Sequence, residues 1–304
     1  MKFGLLSYCT ANLGDDMQSI AARRFLPRVD CYVDREALDA PSSPHNERLA
    51  VIMNGWFCHR PDKWPPSPHI APLLISFHVT DNPEPDTGVR AREHFARSPA
   101  VLRWLARHGP VGARDLSTLE WLRSHGIASW FSGCLTLTLD PPADRRCDDV
   151  VVLNDVPGEV AAAIADRSRR PLGHTTHVVT GPASVEERLA RAAELIDLYA
   201  RAYCVVTTRL HGALPCLAAG TPVLLIDAHW DRSRFTGLGE LVHHGSPAEF
   251  LAGKLDYDVD DPPANPDRHL ALRAELARRT SAFVASRTTT TLLARLRERI
   301  ASWI

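Results

Sequence analysis

Short apolar runs alternate with helical stretches along most of this chain. That alternation constrains the fold more than any other feature. A strand, a helix and a further strand in succession make neighbouring strands parallel, and a parallel sheet is covered by helices on both faces. The clearest unit is the apolar run Tyr203–Thr207, followed by TTRLHGALPCLAAG at 207–220 and the apolar run Val223–Ile226. An Arg and a His, two residues apart, stand where this strand gives way to its helix. In parallel sheets ligands gather beyond the carboxyl ends of strands, so this turn is a candidate binding site.

The first half reads as follows. Lys2–Tyr8 is a strand, and Asp15 or Asp16 caps a helix running to about Leu26. Leu49–Met53 and Leu73–Phe77 are strands separated by a Pro-rich loop, Pro61–Pro72. Val89–His108 has helical spacing, Pro110–Ala113 is a brief strand, and Asp115 caps Leu116–His125. Ser129–Ser132 and Leu135–Leu139 complete the half. The polar, Pro-containing stretch Asp140–Asp149 marks a domain boundary.

The second half repeats the alternation: strand Val150–Leu153, helix Gly158–Arg169 and strand Thr176–Thr180. Ser184-Val-Glu-Glu187 has capping-box spacing and opens a helix with Leu189, Ala193, Ile196 and Tyr199 on one face. About Pro266–Ile304 is Arg- and Ala-rich helix. The expected fold is α/β: two Rossmann-like domains, 1–145 and 146–304, facing a central cleft. The C-terminal helices could lie across either domain.

With 304 residues, 45% of them hydrophobic, the chain can fill two cores. Its 35 basic and 36 acidic side chains leave a net charge of −1, so no global field points to nucleic acid or an anionic membrane. Any anion must be held by a local arrangement. Neither a signal-like start nor an 18-residue apolar run is visible, and a cytoplasmic protein without a membrane span is expected. Seven cysteines without a CxxC pair suggest reduced thiols rather than a disulfide framework or structural zinc. His243-His244 and Asp227-Ala-His229 are isolated signals, and no GxGxxG or P-loop opens a helix. No metal and no cofactor are expected.

Pro215 has no N–H, which places the start of its helix no earlier than about His211 or Gly212. The free N–H groups and helix dipole there suit an anion, and Gly212 would let a ligand approach the backbone. Gly112-Ala-Arg114-Asp115 repeats the design in the first half: strand, Arg, capped helix. Each feature also has a plain structural reading. Arg209 can cap a carboxylate, His211 can be a buried hydrogen-bonded histidine, and Arg114 can pair with Asp115.

Taken together, TTRLHGALPCLAAGTPVLLID, GARDLSTLEWL, SGCLTLTLD, NGWF at 54–57 and NLGDDMQ at 12–18 resemble the polysaccharide pyruvyl transferase family. The likeness covers roughly residues 1–240 in chain order. The last 60 residues carry no assignable motif. It implies a fold similar to the two-domain GT-B glycosyltransferases. It also implies transfer of a pyruvyl group from phosphoenolpyruvate to two hydroxyls of one sugar, giving a cyclic ketal and phosphate. Arg209, Leu210 and His211 would then line the donor site, with Arg114 as a further donor-binding arginine.

Arg suits this donor because its planar fork grips phosphate and carboxylate bidentately. His211 is the main acid/base candidate, or else a phosphate ligand. Asp15 is a second catalytic candidate, as base toward a sugar hydroxyl, or simply an N-cap. Asn12, Asp15, Asn54, Gly55, Trp56 and His78 make up the expected acceptor side. Trp56 and Phe57 could stack on a sugar, or anchor a loop by packing. Arg232 and Arg234 could add charge to the donor pocket, although a solvated loop is the default. Cys134 has no neighbouring His or Lys to make it a nucleophile.

Two other function classes fit the same outline. A nucleotide-sugar glycosyltransferase should carry a ribose-binding carboxylate in the helix before GTPV, and LHGALPCLAAG has none. A non-catalytic binding protein would tolerate loss of Arg114, Arg209 and His211, yet all three are present.

Overall fold

The computed structural model describes residues 1–40, 47–83, 88–140, 147–228 and 232–301, with side chains to residue 289. The predicted boundary at 145/146 and His229 lie outside the described residues.

The strands form two all-parallel sheets among the described residues. The first contains β1 (Lys2–Ser7), β2 (Cys31–Asp34), β3 (Leu49–Trp56), β4 (Ile70–His78), β5 (Val111–Ala113) and β6 (Ser129–Phe131), in the order β2-β1-β3-β4-β5-β6. The second contains β7 (Val151–Asn154), β8 (Leu172–Thr175), β9 (Cys204–Thr207), β10 (Val223–Ile226) and β11 (His243–Gly245), in the order β11-β10-β9-β7-β8. The strand order reverses between β1 and β3 in one sheet and between β7 and β9 in the other. Such switch points open a crevice at the carboxyl ends.

The covering helices are α1 (Leu13–Arg23), α2 (Ala91–Ala96), α3 (Pro99–Arg107) and α4 (Leu116–Ser124), then α5 (Gly158–Arg167), α6 (Val185–Arg201), α7 (Leu210–Ala219) and α8 (Pro247–Leu251). The long α9 (His269–Ala301) closes the chain. No helix among the described residues is long and apolar enough to cross a membrane. All seven cysteines are free.

Most predicted elements stand, with corrections that have local causes. Asn12, not Asp15 or Asp16, caps α1: its Oδ1 accepts the Gly14 N–H at 3.0 Å, and both aspartates lie inside the first turn. The helix stops at Arg23, short of Leu26. The single helix expected over 89–108 is two, because Pro99 opens α3 with Ser98 as its cap. Strand β4 starts at Ile70 and so includes Pro72. Its β5 side has no ladder partner until Phe77, which leaves room for a residue without N–H. Strand β3 runs on to Trp56, so Asn54 and Gly55 lie within it and not after it.

In the second domain, 172–175 forms the strand expected at 176–180. Asp155 captures the later segment, accepting from Thr176 Oγ1 at 2.6 Å and from the His177 N–H at 3.1 Å. Helix α7 begins at Leu210, and Pro215 falls in its second turn, costing one intrahelical bond. On α6 the capping box of Ser184 and Glu187 is present, but Ala192 is buried and Ala193 exposed.

The two domains share an apolar core. Leu5, Met17 and Ile52 of the first sheet side pack in one cluster with Leu137 and with Leu210 and Leu217 of α7. Leu276 of α9 joins it, and Arg279 lies over Trp130 of β6, so α9 packs against the first domain. A buried ion pair, Arg188 to Asp16 at 2.7 Å, adds a polar clasp, with Arg188 Nη1 also donating to the Thr10 carbonyl at 2.7 Å.

Candidate active site

The switch points of the two sheets face each other across the domain junction. Helix α1 leaves β1 and helix α7 leaves β9, and their N-termini meet. A Cβ placed on Gly14 would lie 2.6 Å from His211 Nδ1, which is closer than real side chains tolerate. Glycine at 14 is therefore what lets the imidazole reach the junction. Gly212 plays a different part from the ligand approach expected of it: a Cβ there would meet Thr207 Oγ1 at 2.6 Å. Its bare Cα lets α7 pack on the end of β9.

That strand end is built around register. Asn154 of β7 pairs with Thr207 of β9, and Thr207 Oγ1 donates to Asn154 Oδ1 at 2.8 Å. The same hydroxyl accepts the Arg209 N–H at 2.9 Å. Arg209 Nε donates to Asp155 Oδ2 at 2.8 Å, and Asp155 sits in the left-handed region at φ 51°. The carboxylate reading of Arg209 thus holds, and Asp155 fixes where the guanidinium sits. Nothing in the sequence flagged Asp155 beyond its place after an apolar strand.

His211 is 3% exposed. Burial, then the charges of Arg114 and Arg234, hold its imidazole well below the usual value, against the pull of Asp15. It is neutral at neutral pH. Its Nε2 lies 3.7 Å from Cys134 Sγ, which also accepts from Thr136 Oγ1 at 3.1 Å. Burial pushes the Cys134 thiol up, so it is no nucleophile.

Arg114 is the most unusual side chain of the site. It is 1% exposed, and among the described residues none of its three guanidinium nitrogens has a hydrogen-bond partner. Its nearest carboxylate oxygen, on Asp115, is 3.8 Å from Nε. Asp115 is occupied elsewhere: it caps α4 through the Thr118 N–H at 2.8 Å and makes a short contact with His78 Nδ1. A buried guanidinium without partners is costly unless something anionic completes it.

Asp15, in the first turn of α1, is near enough for its charge to act on His211. Burial pushes its carboxyl up, but Arg35, helped by His211, Thr10 and Arg234, overrides this and holds it below the usual range. Arg35 Nη1 is 3.2 Å from Asp15, and Thr10 Oγ1 donates to it at 2.9 Å. Arg35 is itself buried over the Tyr8 ring at 4.7 Å. It went unnoticed in the sequence because it lies 20 residues from its partner in a segment with no periodicity.

Arg234 departs from the solvated-loop expectation. It is 8% exposed, lies over the Trp56 ring at 4.9 Å, and its charge acts on His211, Asp15 and His78. Arg232 does stay exposed, paired with Asp227. Of the expected acceptor side, Trp56 and His78 come together around Arg234, their rings 6.3 Å apart. Burial takes His78 down to about 4 despite Asp115. Asn54 instead ties β3 to α1, donating to the Gln18 carbonyl at 2.8 Å, and Gly55 packs beside Arg35 and Phe57.

Asn12, His177, Leu210, Arg209, His211 and Arg234 line one narrow cavity of about 20 Å3, room for a water molecule. Among the described residues no cluster of His, Cys, Asp and Glu is arranged to hold a metal.

A family model described as polysaccharide pyruvyl transferase matches residues 12–229. The chain belongs to this family. The matched segment of the pyruvyl transferase family takes in both sheets apart from β1 and β11, and every residue of the cavity except Arg234 and Phe235. No curated protein matches the chain. Among solved structures it is similar to the UDP-GlcNAc 2-epimerase of Methanocaldococcus jannaschii in complex with UDP-GlcNAc and UDP, at 9% identity and a TM-score of 0.42, over 92% of this chain and 99% of that one. It is also similar to the glycotransferase of kitacinnamycin, at 12% identity and a TM-score of 0.42, covering 97% and 98% of the two chains. A third is S. aureus MnaA with UDP, at 11% identity and a TM-score of 0.42, covering 98% and 97%.

One consequence concerns Gly14. Because a Cβ would stand 2.6 Å from His211 Nδ1, Gly14→Ala should displace the imidazole while the helix persists. Turnover should fall about a hundredfold for a misplacement near 1 Å, with a stability loss of about 1–3 kcal/mol from overpacking. Steady-state rates alongside urea titration check this; unchanged turnover would show that His211 position is not critical.

Proposed function

We propose that this protein moves the pyruvyl group of phosphoenolpyruvate onto two hydroxyls of one sugar in a glycan or glycoconjugate, releasing inorganic phosphate. One observation carries the reading: the buried, unpartnered guanidinium of Arg114 within electrostatic reach of a neutral His211. Arg114, Arg234 and Arg209 supply the positive charge that a phosphate and a carboxylate need. Both domains thus contribute to the donor side, Arg114 from the first and Arg209 and His211 from the second, with Trp56, His78 and Asp15 on the acceptor side. The donor is larger than the cavity, so its entry requires Arg234 and its turn to draw back.

The chemistry balances with the groups present. The first sugar hydroxyl adds to C2 of the enol phosphate and loses its proton to the Asp15 carboxylate. The C2–C3 π pair takes a proton from the His211 imidazolium, making a methyl group. The C2–O bond to phosphate then breaks, the phosphate leaving with the electron pair and the proton held by Asp15. The second hydroxyl attacks C2 and gives its proton to His211, which restores the imidazolium. No further cofactor is called upon, and the reaction suits a cytoplasmic enzyme, where phosphoenolpyruvate is available.

His211 begins neutral, held so by burial, Arg114 and Arg234. A phosphate placed between those arginines offsets their charge and raises the imidazole. Donor binding should therefore take up about one proton near neutral pH. Titration calorimetry in buffers of different ionisation heat measures this; a buffer-independent heat contradicts the assignment. The activity itself is tested with phosphoenolpyruvate and a panel of glycosides, following phosphate release together with mass gain on the sugar. Wild type should form the ketal and His211→Ala should not. Transfer only from a nucleotide sugar would overturn the proposal.

A further inference from the structure

His177 lines the same cavity as Arg209 and His211, yet no motif or spacing singles it out. It is 1% exposed, and among the described residues its Nδ1 has no hydrogen-bond partner. Its other nitrogen is engaged: Nε2 lies 2.9 Å from the Tyr199 hydroxyl. The backbone pins it on both sides. Its N–H donates to Asp155 Oδ2 at 3.1 Å, and its carbonyl accepts the Leu13 N–H at 2.9 Å across the domain junction.

The tautomer follows from the partners. Tyr199 is buried and its phenol is held well above the usual value, burial being the main cause, so it stays protonated. Among the described residues the phenol oxygen has no other hydrogen-bond partner. The phenol proton is then free to be given to His177 Nε2. A neutral imidazole that accepts at Nε2 carries its proton at Nδ1. Burial takes His177 down to about 4, so the ring is neutral whenever the protein is folded near pH 7. His177, with its N–H at Nδ1, thus stands in the cavity wall with Arg209, Arg234 and the N-terminus of α7. A neutral donor among cations, with no acceptor of its own, is the chemistry of an oxyanion ligand.

We infer that His177, oriented by Tyr199, donates its Nδ1 proton to an oxygen of the bound donor anion and is a second histidine of the donor site. This rests on the phosphoenolpyruvate reading. His177 binds rather than transfers a proton, so it acts on donor affinity more than on turnover.

The test uses the full chain with phosphoenolpyruvate and, separately, inorganic phosphate as probes. His177→Gln keeps a group at the Nε2 position and removes the cavity donor; the phosphoenolpyruvate Kd and KM should rise about 10- to 100-fold, with kcat changing little. His177→Asn restores a donor near the Nδ1 position and should recover most of the loss. Nitrogen-15 spectra of the wild type should show Nδ1 protonated and Nε2 bare, and Tyr199→Phe should mix the tautomers and weaken donor binding. Equal affinity in His177→Gln, or an Nε2-protonated ring in the wild type, overturns this inference while the donor reading stands. If the wild type binds neither probe, both fall.

Discussion

Arg114→Met should give a more stable protein that has lost its activity. The guanidinium is 1% exposed and its three nitrogens lack partners among the described residues, so the folded chain bears a desolvation cost without compensating hydrogen bonds. Methionine keeps the apolar stem and removes the charge. Replacing buried ionic groups by apolar ones of similar volume commonly stabilises by about 1–4 kcal/mol. Asp115, the nearest carboxylate at 3.8 Å, keeps its contacts to His78 and the Thr118 N–H, so little is orphaned in exchange. Against that gain, kcat/KM for phosphoenolpyruvate should fall about a thousandfold, as when a preorganised charge on an oxyanion is lost. Urea midpoints and single-turnover rates measured together decide the matter. A destabilised Arg114→Met would mean that the guanidinium is held by the fold for structural reasons. Stabilisation with activity retained would mean that its anion is not the donor. A rise in stability paired with a loss of function is the signature of a strained binding group.

The alternation of strands and helices was readable because its signals are local. The capping box at Ser184 and Glu187, the Asp115 cap and the apolar runs each declare themselves within a few residues. What failed to show was pairing at a distance. Arg209 was visible at its strand end, but its carboxylate, Asp155, comes from 54 residues earlier and was not. Arg35 reaches Asp15, and Arg188 reaches Asp16 from 172 residues away, and neither contact leaves a trace in spacing. Arg234 was misjudged for a different reason. It sits in a short 3-10 turn with no periodicity, where nothing distinguishes a side chain over Trp56 from one in water. The sequence pattern places His177 in a strand, and the Asp155 carboxylate wins the competition by holding 176–177 out of the sheet. The candidate residues legible in the sequence, Arg114, Arg209, His211 and Asp15, all stand at carboxyl ends of strands or in the first turn of the helix that follows, where topology rather than pairing places them.

Acid should unfold this protein well before its carboxylates are exhausted, because three histidines are buried neutral. Burial is the leading cause for each: His78 and His177 are brought down to about 4, and His211 well below its usual value. In the unfolded chain all three titrate near 6.5. Between 6.5 and 4 the unfolded state therefore binds more protons than the folded one, and stability falls as pH falls. The contribution is complete above pH 6.5 and lost progressively toward 4, worth about 3 kcal/mol for each of His78 and His177. Asp16 works in the opposite direction. Burial raises its carboxyl to about 6 despite Arg188, so the folded state gains a proton there that the unfolded state takes up only near 4. Below pH 6 it offsets roughly one histidine. The expected net is about two protons taken up on unfolding between pH 6 and 4.5, or a slope of about 3 kcal/mol per pH unit. For a protein at the low end of the typical stability range, about 5 kcal/mol, that places the acid midpoint near pH 4.5–5. Urea titrations at half-unit steps of pH measure the slope directly. His177→Asn should reduce it by about one proton, while a flat profile from pH 7 to 5 would mean that these imidazoles reach water in the folded protein.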